Sequence, residues 1–314
     1  MNPNFIIGQC ATLFIAPDIK EGLKKEKLHL LYNDSLFCFS PNSQDFIAYN
    51  KYINSTENRI LKELQRNQNR LMLSNLQGFD AQSDEIRLNL QKTDYSHACY
   101  VWNHFKHTNY NLKLCYSHIK AQNQLLPNSL CMHLLIETVD EKIVTTTSSL
   151  DKTTDYPNTI AFSVGEQLEL SDIIESKKTQ CSCADIWLNR TFLEEFGLTN
   201  DHYKKMVDTD SFRILGLYFE GNIYNFALLC LVRLKCSFNE FYEVVTPTLD
   251  YHEISDIACI NFERIPSVLR VEGTANICHP SSAIRLFLYS MHKEGMEATM
   301  NSFRKEGIVL NQIR

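Results

Sequence analysis

The chain has 314 residues, of which 44% are hydrophobic and 22% are charged, and its formal net charge is −6. This length is typical of two domains, and the composition excludes wholesale disorder. An acidic chain lacks the broad positive field of proteins that hold nucleic acid by its phosphates, so we expect no nucleic-acid partner.

The cysteines and apolar runs predict a cytoplasmic protein that does not enter a membrane. Eleven cysteines are scattered along the chain without the spacing of a zinc site, which favours free thiols in a reducing compartment over a disulfide framework. The N-terminus lacks the pattern of a secretory signal. The longest apolar runs are shorter than the roughly 18 residues needed to cross a bilayer.

The N-terminal region, residues 1–124, is predicted to be a smaller α+β domain of unknown role. Short apolar runs at 5–7, 12–16, 28–32 and 36–39 predict strands or parts of strands. Leucine and isoleucine recur at helical spacing between Thr56 and Gly78, which predicts an amphipathic helix. An aromatic-rich stretch at 95–105 is interpreted as core packing.

The C-terminal region, residues 125–314, is predicted to be a second domain of the α/β class. A hairpin opens it, a polar insertion at 171–182 interrupts it, and Gly197 ends its central helix. The predicted elements are strands at 130–136, 143–147, 160–164, 212–220, 224–234 and 257–262, and helices at about 184–196 and 279–291.

The central helix carries the residues that indicate chemistry. Glu194 and Glu195 are adjacent, and Thr191 precedes them at helical spacing, so the three side chains are expected on one face. Adjacent carboxylates repel each other unless they are solvated or neutralised, and Mg²⁺ or Mn²⁺ prefers oxygen ligands. A solvated helix end is the alternative interpretation.

Residues 190–198 resemble the signature helix of the Nudix superfamily. The family's box reads Gly-x5-Glu-x7-Arg-Glu-U-x-Glu-Glu-x-Gly-U, where U is a bulky apolar residue. The upstream glycine is Gly165, which requires an insertion of about ten residues before the helix. Thr191 stands where the box has its first helix glutamate, whereas the matching residues are Arg190, Phe192, Glu194, Glu195, Gly197 and Leu198.

The resemblance implies a Nudix-like α/β/α sandwich with a mixed sheet in residues 125–314. It further implies Mg²⁺- or Mn²⁺-dependent hydrolysis of a nucleoside diphosphate linked to another group X, a nucleotide-type small molecule as partner, and a homodimer. The residues implied for the site are Glu194, Glu195 and Glu166 for the metal, Glu195 and Glu253 for catalysis, and Arg190 and Gly165 for the substrate.

The departure at Thr191 leaves a second interpretation open. A hydroxyl neither supplies negative charge to Mg²⁺ nor accepts a proton at neutral pH. Either Glu166 or Glu169 compensates from the preceding loop, or the domain is a catalytically inactive Nudix-like module that senses or binds a nucleotide.

Overall fold

The structure is a computed structural model, and it describes residues 4–55, 72–82, 84–106, 126–150, 156–221, 223–251, 253–265, 267–268, 278–308 and 310–313. The strands are β1 (Asn4–Ile7), β2 (Cys10–Ile15), β3 (Leu28–Leu36), β4 (Met72–Gln82), β5 (Glu85–Asp94), β6 (Leu130–Glu137), β7 (Lys142–Ser148), β8 (Ile160–Ala161), β9 (Val164–Gln167), β10 (Val207–Glu220), β11 (Asn225–Leu234), β12 (Ile254–Asn261) and β13 (Asn311–Ile313). The helices are α1 (Gln44–Ser55), α2 (Tyr95–Lys106), α3 (Leu170–Thr179), α4 (Cys183–Phe196), α5 (Asn200–Met206), α6 (Phe238–Val245), α7 (Ser282–Glu294) and α8 (Met296–Lys305).

A large mixed sheet forms the centre of the fold, with the strand order β12-β7-β6-β11-β10-β2-β1-β13. β11 runs parallel to β6 and antiparallel to β10. Both faces of β11 are covered, which explains its continuous apolar sequence. Its side chains alternate between two core clusters, with Phe226, Leu228, Cys230 and Val232 in one and Ala227, Leu229 and Leu231 in the other.

The two core clusters lie between the sheet and helices on its opposite faces. Trp187 and Phe192 of α4 belong to the first cluster, and Ile284 and Phe287 of α7 belong to the second. The predicted α/β/α arrangement with a mixed sheet is therefore confirmed. In the part of the chain that the structure describes, no helix combines the length and apolarity needed to span a bilayer.

Two strands of the large sheet come from the region predicted to be the N-terminal domain. β2 pairs antiparallel with β10, with Gly216 opposite Ile15, and β1 pairs with β2 and β13. Residues 4–15 therefore extend the large sheet and do not belong to a separate N-terminal unit. The three-stranded sheet β3-β5-β4 is a different sheet, formed within residues 28–94.

Two predicted elements need correction. Residues 56–71 of the predicted amphipathic helix lie outside the described residues, and 72–78 belong to β4, where Leu76 pairs with Leu90 and is fully buried. Tertiary pairing therefore overrides the helical spacing of the leucines there. The polar insertion at 171–182 is largely helix α3, and the Asp172 carboxylate accepts the Glu169 backbone N–H at its start.

The predicted hairpin of β6 and β7 opens soon after its turn. Their pairing joins Glu137 to Ile143, after which β9 pairs with β6 and β8 pairs with β7. Residues 160–167 therefore lie between two strands that would otherwise be neighbours. This inserted segment presents Gly165 and Glu166 at the sheet, beside α4.

The end of α4 gives a testable packing prediction. Gly197 has a φ of 61°, and a Cβ there would lie 2.5 Å from the Thr248 carbonyl oxygen. Gly307 has a φ of 75° with open space around it. We expect Gly307→Ala to lower the free energy of unfolding by about 1 kcal/mol, from backbone conformation alone. Gly197→Ala should cost about 2 kcal/mol, because the Thr248 backbone must also move. Urea denaturation measures both, and equal losses would contradict the contact with Thr248.

Candidate functional site

Helix α4 separates an apolar face from a polar face. Trp187, Phe192 and Phe196 are fully buried against the sheet. Arg190 and Glu194 are partly buried and lie one helical turn apart. Gly197 closes the helix in the left-handed conformation, as the sequence predicts.

The Arg190 guanidinium holds the start of α3, the end of β9 and its own helix together. Nε and Nη2 donate to the two carboxylate oxygens of Asp172 at 2.9 and 2.8 Å. Nη1 lies 3.0 Å from Oε1 of Glu166 and 3.2 Å from Oε2 of Glu194. Nη2 also donates to the Gln167 carbonyl at 2.5 Å. Arg190, which the resemblance implies for the substrate, therefore directs these donors to protein groups, one of them a carboxylate of its own helix.

Acids outnumber bases in this cluster. Glu169 lies 3.8 Å from Arg190, so four carboxylates surround one guanidinium: Glu166, Glu169, Asp172 and Glu194. Burial raises the pKa of Glu166 to about 7, with repulsion from Glu194 adding to the shift and Arg190 opposing it. Burial also raises the pKa of Glu169. The raised pKa values of Glu166 and Glu169 reduce the negative charge that these carboxylates place around the single guanidinium.

Thr191 lies in the interior of the protein. Its side chain is fully buried, and Oγ1 donates to the Trp187 carbonyl at 2.8 Å. Thr191 keeps the helical spacing that the sequence predicts relative to Glu194 and Glu195, but its hydroxyl is engaged by an acceptor one turn back along the helix.

The other predicted site residues lie at different distances from the cluster. Glu195 is partly buried, and it adds to the rise in the pKa of Cys131 that is caused first by burial and then by Glu220 and Glu166. Glu253 is exposed in the loop before β12, where its backbone N–H donates to the Asp250 carbonyl at 2.8 Å. The structure thus brings Glu166, Arg190 and Glu194 into direct contact and leaves Glu253 outside that contact.

Gly165 is required by a close approach to β6. A Cβ at this position would lie 2.8 Å from Cδ2 and 3.1 Å from Nε2 of His133. Gly165 lies opposite His133 in the β6–β9 pairing. Glycine at 165 therefore lets β9 pass the buried His133 ring and carry Glu166 to Arg190.

The donor set is chemically suited to a hard divalent cation, because it consists of carboxylates in negative excess. Within the described ranges, however, no group of three His, Cys, Asp or Glu side chains is already arranged to hold a metal ion. Glu166 and Glu194 both contact Arg190, so a cation would have to compete with the guanidinium for their oxygens.

Asp172 is the site residue that the sequence interpretation missed. Its side chain is 2% exposed, and it makes the two-pronged contact with Arg190. The available signal was its position three residues after Glu169, the spacing of a helix-capping box. It also follows Gly165 by seven residues, one more than the acid of the Nudix box.

Comparison with known proteins adds little to this geometry. No protein-family profile matches the chain, and no curated protein matches it significantly. The solved structures that match include DR0079 from Deinococcus radiodurans, with 13% identity, a TM-score of 0.36, and coverage of 51% of this chain and 83% of that one. Tm1382, provisionally assigned as a Nudix hydrolase, matches with 13% identity, a TM-score of 0.28, and coverage of 58% and 87%. Likeness at this level assigns neither family nor function.

Proposed function

We propose that the C-terminal domain is a Nudix-type hydrolase that cleaves the phosphoanhydride of a nucleoside diphosphate linked to another group. The observation that supports this most directly is the contact of Glu166 and Glu194 through Arg190. The residues that resemble the Nudix box meet in space although Gly165 and Arg190 are 25 positions apart. Helix α3 takes up the insertion without separating β9 from α4.

The residues that would hold Mg²⁺ or Mn²⁺ are Glu166, Glu194 and Glu195. When bound, the cation would neutralise the diphosphate and activate water. Glu166 would serve as a ligand in place of the absent helix glutamate, because it contacts Arg190 beside Glu194, and Glu195 stays a predicted catalytic carboxylate. Glu253 stays a predicted second catalytic carboxylate from its loop.

The test is hydrolysis of ADP-ribose-like and dinucleotide substrates in the presence of Mg²⁺ or Mn²⁺. We expect release of a nucleoside monophosphate and a fall in kcat of about 100-fold in Glu195→Gln. The control is Glu243→Gln, the same chemical change at an exposed position of α6, which should leave kcat unchanged. Absence of turnover by the unaltered protein with either cation would refute the hydrolase.

The Thr191 hydroxyl, which supplies no negative charge and donates to the Trp187 carbonyl, favours a second candidate, a module that binds the same class of ligand without cleaving it. A ligand that binds the folded state alone raises its melting temperature, by an amount set by ligand concentration over Kd. This candidate predicts such stabilisation by ADP-ribose in the absence of product. Stabilisation accompanied by Mg²⁺-dependent product release would exclude it.

A further inference from the structure

Arg285 of α7 is a buried charged residue that reaches across to the segment leading into β9. Its side chain is 2% exposed, and Nη1 donates to the Phe162 carbonyl at 3.1 Å and to the Val164 carbonyl at 3.3 Å. Nε donates to Oγ of Ser281 at 3.1 Å. All three acceptors are neutral. Two of them are backbone carbonyls in the segment directly before Gly165.

A guanidinium in the interior is costly unless it is well satisfied. Arg285 also lowers the pKa of the buried Glu220, although burial raises it overall. Part of the role of Arg285 is therefore structural. A test of any further role must separate a loss of stability from a loss of function. The contact that suggests a further role is that Nη1 of Arg285 donates to the two backbone carbonyls on either side of Ser163.

Ser163 is held from the other side. Its Oγ accepts the Ile136 backbone N–H at 3.1 Å and donates to the Val144 carbonyl at 2.6 Å. Thr146 Oγ1 donates to the Ser163 carbonyl at 2.6 Å. Residues 162–164 are thus fixed by β6 and β7 through Ser163 and by α7 through Arg285.

We propose that Arg285 is a positioning residue. It fixes the position of β9 along its neighbouring strands, so that Glu166 contacts Arg190, which also contacts Glu194. The inference rests on the proposed hydrolase function. Val164 is two residues before Glu166, so a shift of the clamped segment is transmitted along the strand to the carboxylate. A displacement of about 1 Å in a catalytic group can cost on the order of 100-fold in rate.

The experiment compares Arg285→Met and Arg285→Lys with Tyr289→Phe. Tyr289 lies one turn along the same helix, and its hydroxyl donates to Oε1 of the buried Glu137 at 2.7 Å, away from β9. We expect Arg285→Met to lower kcat by about 10- to 100-fold with KM within about two-fold, and Arg285→Lys to recover part of the loss. We expect Tyr289→Phe to leave both constants unchanged. A second readout, Mn²⁺ affinity by electron paramagnetic resonance, should weaken about ten-fold in Arg285→Met alone.

The outcomes separate this inference from the function on which it rests. Unaltered kcat and Mn²⁺ affinity in Arg285→Met would overturn the positioning role while leaving the hydrolase intact. If the unaltered protein binds Mn²⁺ without turnover, the hydrolase fails and the Mn²⁺ affinities decide the positioning role. If the unaltered protein shows no Mn²⁺ binding and no turnover, both the hydrolase and the positioning role are overturned. If Arg285→Met does not fold, Arg285→Lys, which retains the charge, decides by the same two readouts.

Discussion

Replacing Arg190 with alanine should lower the free energy of unfolding at neutral pH by about 3 to 5 kcal/mol. The Arg190 side chain is 14% exposed and its partner Asp172 is 2% exposed, so the pair is largely removed from solvent. The substitution would leave four carboxylates without their shared counter-charge. Removing one member of a buried pair costs the desolvation of the charge that is left behind, which is more than the pair itself contributes.

Chemical denaturation at pH 7.5 measures this loss, and the control is Lys178→Ala. Lys178 pairs with Glu175 on the exposed side of α3, where the side chains are 75% and 46% exposed. A pair of this kind contributes less than about 1 kcal/mol, so the control should unfold almost as the unaltered protein does. A loss for Arg190→Ala as small as that of the control would show that the cluster is solvated and not buried.

Glu166→Gln should change how stability depends on pH, by about 3 kcal/mol between pH 4.5 and pH 7. The pKa of Glu166 rises from 4.5 to about 7 on folding, mainly because of burial. Between these values the folded state keeps the proton that the unfolded state has released. The free energy of unfolding therefore falls as pH rises through this window and becomes flat above pH 7. Glutamine cannot ionise, so the variant lacks this contribution.

The measurement is the difference in unfolding free energy between the unaltered protein and Glu166→Gln, taken at intervals from pH 4.5 to pH 8. The raised pKa of Glu169 acts in the same direction, but it is present in both proteins and largely cancels in the difference. The unaltered protein should become steadily less stable relative to Glu166→Gln as pH rises. If the difference in unfolding free energy stays constant, or if the unaltered protein gains stability relative to the variant, Glu166 is ionised throughout and solvated.

The elements predicted most accurately are those whose sequence signals come from local geometry. Helix α4 follows from its apolar spacing and from Gly197, which the structure places at the left-handed helix end. Strand β11, Asn225–Leu234, follows from the apolar run predicted as a strand at 224–234. Residues 72–78 of β4 carry leucines that fit a helical period as well as a strand, and only pairing with β5 decides between the two.

The composition of the site was less predictable than the fold. The resemblance identified Arg190, Glu194 and Glu166, but the roles of these residues depend on contacts made across about 20 positions of chain. Asp172 reaches the cluster because it lies in the first turn of helix α3. The polar composition of 171–182 did not predict that helix. The burial of Thr191 and its bond to the Trp187 carbonyl depend on how the helix packs, which the spacing of charged residues alone does not determine.

The most direct test of the account is a titration with Mn²⁺ followed by electron paramagnetic resonance, because the central claim is that Glu166, Glu194 and Glu195 together bind a divalent cation. The account predicts a single Mn²⁺ per chain, displaced by Mg²⁺, with affinity at least about ten-fold weaker in Glu194→Gln and Glu195→Gln. The exposed variant Glu243→Gln should bind as the unaltered protein does. Equal Mn²⁺ binding by all four proteins, or none at millimolar concentrations, would contradict it.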